Sequence, residues 1–112
     1  MSIIEMGEIK EITVQDYAQL RKIGAPHQLI DVREPNEFEF CNLDGLLIPL
    51  RDVNTRFHEI KKDLKIIVHC RSGKRSATAI QILQDQGLEN LYNLKGGILA
   101  WADEIDSNIP KY

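Results

Sequence analysis

Cysteine is scarce in this sequence: 112 residues contain two, Cys41 and Cys70, far apart and in no CxxC pair. That count argues against a disulfide framework and suits a reducing compartment with a free thiol. With His27, His58 and His69 it also lacks the spacing of a zinc site, so no metal is expected. Excess positive charge is missing too. The net charge is -3, which argues against a general nucleic-acid binder. Long apolar runs are absent; Ile66-Ile67-Val68 is strand-sized and far too short to cross a bilayer. Met1–Met6 shows neither the basic nor the apolar part of a secretory leader, so a cytoplasmic protein is expected. There is no internal repeat, low-complexity tract or linker. The length fits one domain, residues 1–112, able to bury a real core.

What is present is an alternation of strand and helix patterns. Ile9–Ile12 reads as an edge strand. Thr13 with Asp16 opens a helix that runs to Ile23 and stops at Gly24. Gln28–Val32 is a strand, followed by a short helix from Pro35 to Phe40. Leu46–Ile48 is a strand closed by Pro49, and Arg51–Ile60 a helix with Val53, Phe57 and Ile60 on one face. Lys65–His69 carries consecutive β-branched residues without alternation, the mark of a central parallel strand buried on both faces. Arg75–Gln86 is an amphipathic helix ending at Gly87, Asn90–Leu94 a last strand, and Gly96-Gly97 leads into a helix with Ile98, Trp101 and Ile105. The alternation predicts an α/β domain with a mainly parallel sheet and a ligand beyond the carboxyl ends of its strands. Trp101 is expected to anchor the core.

Cys70 stands at that edge. It follows the central strand and precedes a helix, with Arg71-Ser72-Gly73-Lys74 between. A loop curling from a strand into a helix N-terminus points several N–H groups inward, and these with the helix dipole form an anion cradle. Gly73 permits the tight curl, and Ser76 can donate a hydroxyl into it. Cations near a helix N-terminus are unfavourable unless an anion is present, so Arg71, Lys74 and Arg75 point to a small anionic ligand. In such surroundings a thiol ionises readily and becomes a nucleophile able to take sulfur from an anionic donor. The plain alternative is a packed core cysteine, which needs neither the glycine nor the cations.

The stretch Cys70-Arg71-Ser72-Gly73-Lys74-Arg75-Ser76 resembles the active-site loop of rhodanese-like sulfurtransferases. Asp31-Val32-Arg33-Glu34 with Glu37-Phe38, Gly45 with Ile48-Pro49, and Gly96-Gly97 with Trp101 resemble the family's other signatures, in the family's order. One departure is visible: many members have a His before an aliphatic residue where this chain reads Phe40-Cys41-Asn42-Leu43-Asp44-Gly45. The resemblance implies a five-stranded parallel sheet with helices on both sides. It also implies a persulfide on Cys70, a donor held by Arg71, Ser72, Gly73, Lys74, Arg75 and Ser76, activity of the thiosulfate sulfurtransferase class, and no cofactor. The ending from Gly97 to Tyr112 is similar to rhodanese domains fused behind MoeB/ThiF-type adenylating enzymes. That narrower resemblance implies transfer to a ubiquitin-like sulfur carrier. Its implied partners are a cysteine desulfurase, a MoeB/ThiF-type enzyme or the carrier; from the charge and the short apolar runs, neither nucleic acid nor membrane is expected.

Other residues have two readings each. Asp31 and Arg33 either position the loop or brace the fold as a pair, the second being preferred for Asp31. Arg51 either helps bind a donor or is a solvated cation. Glu37 is expected to brace. His69 should point away from Cys70, because neighbours on a strand face opposite sides. Cys41 is expected to be packed. Two other functions compete. A phosphatase or arsenate reductase resembles His-Cys, five residues, then Arg; here four residues separate Cys70 from Arg75, which suits one terminal sulfur atom better than a tetrahedral phosphate. A non-catalytic interaction module of the same fold would not need the intact loop.

Overall fold

The computed structural model describes residues 8–112; the Met1–Met6 stretch read above for a leader lies outside them. Five strands form one parallel sheet: β1 (Lys10–Ile12), β2 (His27–Asp31), β3 (Leu46–Leu47), β4 (Lys65–His69) and β5 (Leu91–Leu94). Their spatial order is β1-β5-β4-β2-β3. Every adjacent pair is parallel, and Asp31 on β2 lies in register with His69 on β4.

The helices are α1 (Val14–Lys22), α2 (Pro35–Phe40), α3 (Val53–Arg56), α4 (Lys74–Asp85) and α5 (Gly97–Glu104). They cover both faces, so the sheet has two cores. Ile66, Val68 and Cys70 pack on one side with Val53 of α3 and Ala79, Ile80 and Leu83 of α4. Ile67 packs on the other with Val14 and Tyr17 of α1 and Ile98 and Trp101 of α5. Successive residues of a strand face opposite sides, and a strand buried on both must be apolar throughout, which is why Ile66-Ile67-Val68 does not alternate. Trp101 is an anchor of the second core, its ring centroid 5.7 Å from that of Tyr17.

Local signals place most boundaries. Thr13 caps α1, its hydroxyl accepting the Asp16 N–H across 3.1 Å. Glu37 caps α2, its carboxylate accepting the Glu34 N–H across 3.0 Å. The helix expected over Arg51–Ile60 is broken instead into a 3₁₀ turn (Leu50–Asp52), the short α3 and a second 3₁₀ turn (Phe57–Glu59). Val53-Asn54-Thr55 at its centre are poor helix formers, and docking Val53 and Ile60 into the core decides the path. Strand β3 ends one residue early, but the Ile48 N–H still donates to the Asp31 carbonyl across 2.8 Å. Among the described residues no helix is long and apolar enough to cross a membrane.

Ile67 has no exposed surface, whereas Ile23 is 66% exposed. Ile67→Ala should cost about 2–4 kcal/mol in urea unfolding. Ile23→Ala should stay within about 0.5 kcal/mol of the parent.

Candidate active site

The carboxyl end of β4 delivers Cys70 to the start of α4. Gly73 makes the bend: it is the residue before α4 and has φ of 112°, a conformation that a side chain would strain. The turn brings the Gly73 N–H to 3.1 Å from Cys70 Sγ. The Ser76 hydroxyl, one turn into α4, stands 3.3 Å from the same sulfur.

The other side of the loop rests on α5. The Ile98 N–H donates to the Cys70 carbonyl across 3.0 Å, and the Leu99 N–H to the Arg71 carbonyl across 3.1 Å. These are first-turn amides with no partner inside their own helix. A Cβ on Gly97 would lie 2.4 Å from the Arg71 oxygen and 2.6 Å from the Cys70 oxygen. Gly97 is therefore glycine so that α5 can reach the loop.

Cys70 is 1% exposed. Burial pushes its pKa up, but the Ser76 hydroxyl and the amides of Ser76, Gly73 and Ser72 pull it down, and the balance lies below the ordinary thiol value. Cations contribute less than the sequence led one to expect, because two of the three are engaged elsewhere. Arg71 turns away and donates from Nε to the Tyr112 main-chain oxygen across 2.6 Å. Arg75 grips Glu37 with two hydrogen bonds of 2.6 and 2.8 Å. Its charge is still felt at Cys70. Lys74 and Ser72 are exposed beside the loop.

Asp31 and Arg33 are fully buried and paired through Nη2 and Oδ2 at 2.7 Å. Arg33 also donates to the Cys41 carbonyl at 2.7 Å and to the Tyr112 hydroxyl at 2.9 Å. No hydrogen bond joins the pair to the Cys70 sulfur, so it braces the segment after β2 beneath the site. His69 Nε2 is 3.5 Å from Asp31 Oδ2, and burial holds its pKa below the ordinary value. Arg51 is exposed and paired with Glu34. Cys41 is buried in the core opposite that of Cys70.

Two contributors were not read from the sequence. Asn93, buried on β5, accepts the Ser76 hydroxyl at 2.6 Å and donates to the Gly73 carbonyl at 3.1 Å. Its signal was a polar residue inside the apolar strand Leu91–Leu94. Tyr112 joins Arg33, Glu37 and Arg71, a long-range contact that no local pattern announces.

A model of the rhodanese-like domain matches residues 13–104. The chain belongs to the rhodanese-like domain family. It is 36% identical over 114 residues to the adenylyltransferase and sulfurtransferase MOCS3 of Aedes aegypti, covering 92% of this chain and 26% of that protein. It thus spans about a quarter of the MOCS3 relatives it matches. A sulfurtransferase of Allochromatium vinosum is 41% identical over 75 residues, 66% of this chain and 70% of that one. Among solved structures, a rhodanese-related protein of Thermoplasma volcanium superposes with a TM-score of 0.77 at 31% identity, over 86% of this chain and 93% of that one. The Cys70 loop of this rhodanese-like chain is the stretch that its α4 and α5 jointly hold.

The Glu37–Arg75 pair makes an acid-side prediction. Arg75 holds the Glu37 carboxyl down at about 2, below the usual ~4.3 of a free Glu. A carboxyl depressed by folding stabilises fully above its unfolded pKa, and that contribution fades as pH falls through the folded one. Glu37→Gln should therefore cost about 1–2 kcal/mol at neutral pH, with the gap closing as pH approaches about 2. Urea unfolding over a pH series checks it; a gap that stays constant would contradict it.

Proposed function

We propose that this chain is a sulfurtransferase of the thiosulfate sulfurtransferase class in which Cys70 carries sulfur as a persulfide. The observation that carries this reading is a buried thiol facing the Gly73 N–H at 3.1 Å and the Ser76 hydroxyl at 3.3 Å, at the junction of β4 and α4. The family and the sulfurtransferase names of its relatives support it.

The chemistry is two displacements at sulfur. The Cys70 thiolate attacks the sulfane sulfur of a donor, an S–S bond forms, and the donor's own sulfur–sulfur bond breaks. Thiosulfate leaves as sulfite; a protein persulfide, such as that of a cysteine desulfurase, leaves as a thiolate. An acceptor nucleophile then attacks the outer sulfur and Cys70 departs as a thiolate, so no external oxidant or reductant is consumed. The loop amides suit the anion before and after transfer. Arg71, Lys74 and Arg75 supply the positive potential that draws an anionic donor, with Ser72, Gly73 and Ser76 lining its seat. Asp31 and Arg33 support from below, and Arg51 contributes at the rim.

The likeness to MOCS3, which this chain matches over 92% of its own length, supports a narrower reading. In it a MoeB/ThiF-type adenylated, ubiquitin-like carrier takes the sulfur at its C-terminus, in the cytoplasm. The loop argues against phosphate chemistry: with four residues between Cys70 and Arg75 it has one amide fewer than the phosphate-binding pattern.

Thiosulfate should add one sulfur atom to the protein in intact-mass spectra, and cyanide should remove it as thiocyanate. Cys70→Ala should abolish loading, while Cys41→Ala keeps most of it. Loading retained without Cys70, or efficient hydrolysis of an aryl phosphate, would overturn the assignment.

A further inference from the structure

The Ser76 hydroxyl has one proton and two neighbours able to take it. Asn93 Oδ1 lies 2.6 Å from Ser76 Oγ, and Cys70 Sγ lies 3.3 Å from it. The other end of the Asn93 amide settles its direction. Nδ2 donates to the Gly73 carbonyl across 3.1 Å, and turning the amide over would set two oxygens against each other. Oδ1 therefore faces Ser76, can only accept, and takes the Ser76 proton. Ser76 then presents lone pairs to Cys70, an arrangement that suits a protonated thiol and opposes a thiolate. For this hydroxyl to stabilise the anion, its O–H must swing from Asn93 to sulfur. That leaves Oδ1, on a residue 5% exposed, without its donor.

We propose that Asn93 is a positioning residue of the Cys70 site: by holding the single Ser76 proton it governs how readily Cys70 releases its own. The proposal rests on the reading of Cys70 as the sulfur-carrying nucleophile. In the reaction the hydroxyl alternates. Its proton turns to Sγ in the free thiolate and returns to Asn93 in the persulfide, where the charge has moved to the outer sulfur. Asn93 thus favours the loaded state over the empty thiolate.

The charged groups nearby do not duplicate this role. Arg75 of α4 is tied to Glu37 of α2, and Arg71 is turned to Tyr112, whose hydroxyl donates to Glu37. His69 of β4 points to the opposite face, beside the paired Asp31 and Arg33 from the end of β2. Lys74 is exposed, and α5 meets the loop with Gly97, Ile98 and Leu99, none of which titrates.

The test follows the alkylation rate of Cys70 by neutral iodoacetamide against pH, in a Cys41→Ala background. Asn93→Leu removes the competing acceptor at similar volume, and the Gly73 carbonyl keeps the Ala77 N–H at 3.1 Å. Its midpoint should move down by about one pH unit, the scale of one hydrogen bond to an ion. Asn93→Val, which also removes the acceptor and suits a strand, should move it down as well, and it carries the test if the leucine variant does not fold. Ser76→Ala should raise the midpoint, and adding Asn93→Leu to it should change nothing further. An unmoved midpoint in either Asn93 variant, or the same fall in the Ser76→Ala background, would overturn the proposal. Sulfur loading of the unaltered protein is read on the same preparations. Normal loading with an indifferent Asn93 sinks this inference alone; absent loading sinks the functional reading instead.

Discussion

Two peptide carbonyls, those of Cys70 and Arg71, must find donors at a place where the chain leaves a fully buried strand. They find them in the first turn of α5, in the Ile98 and Leu99 amides. Much else follows from this contact. Carbonyls held against α5 leave the N–H side of the loop for the sulfur, where the Gly73 amide arrives at 3.1 Å. Two helix ends meet at one loop: α5 gives its free amides to the loop's carbonyls, and α4 turns its N-terminus toward the sulfur. Each satisfies polar groups that would otherwise be buried without partners. The close approach requires that nothing project from Gly97.

The positive charge of the loop is arranged for a different purpose than lowering the thiol pKa at close range. Arg75 is committed to Glu37 and Arg71 to Tyr112, while Asp31 and Arg33 neutralise each other below. Fixed dipoles hold the sulfur, and charges further out set the potential an approaching anion meets. This division suits the proposed sulfur carrier. A cation in direct contact with a persulfide would hinder its onward transfer as much as it helped its formation, whereas amides serve the anion on either side of each step.

Much of this was legible in the sequence because its causes are local. The unbroken apolar run Ile66–Val68 announced a central strand, Thr13 and Pro35 announced helix starts, and a cysteine followed by glycine and cations announced the cradle. What escaped was set by tertiary packing. The helix over Arg51–Ile60 broke because two core contacts outweighed a weak helical tendency. The roles of Asn93 and Tyr112 depend on partners 17 to 79 residues away, which no local pattern records. The three cations suggested an anion site, but only the fold shows that Arg71 and Arg75 are braced by neighbours rather than aimed at sulfur.

The central claim is that main-chain amides and a hydroxyl, not mobile cations, hold the anionic sulfur. The direct measurement is the Cys70 ionisation midpoint, followed by thiolate ultraviolet absorbance in Cys41→Ala protein, as ionic strength is raised from about 0.01 M to about 1 M. Over that range the Debye length shrinks from roughly 30 Å to roughly 3 Å. Buried dipoles in contact with the sulfur are insensitive to that screening. The midpoint should lie below the ordinary thiol range and stay nearly constant across the series. A midpoint in the ordinary range, or one that climbs by a unit or more with salt, would show that exposed cations do the holding.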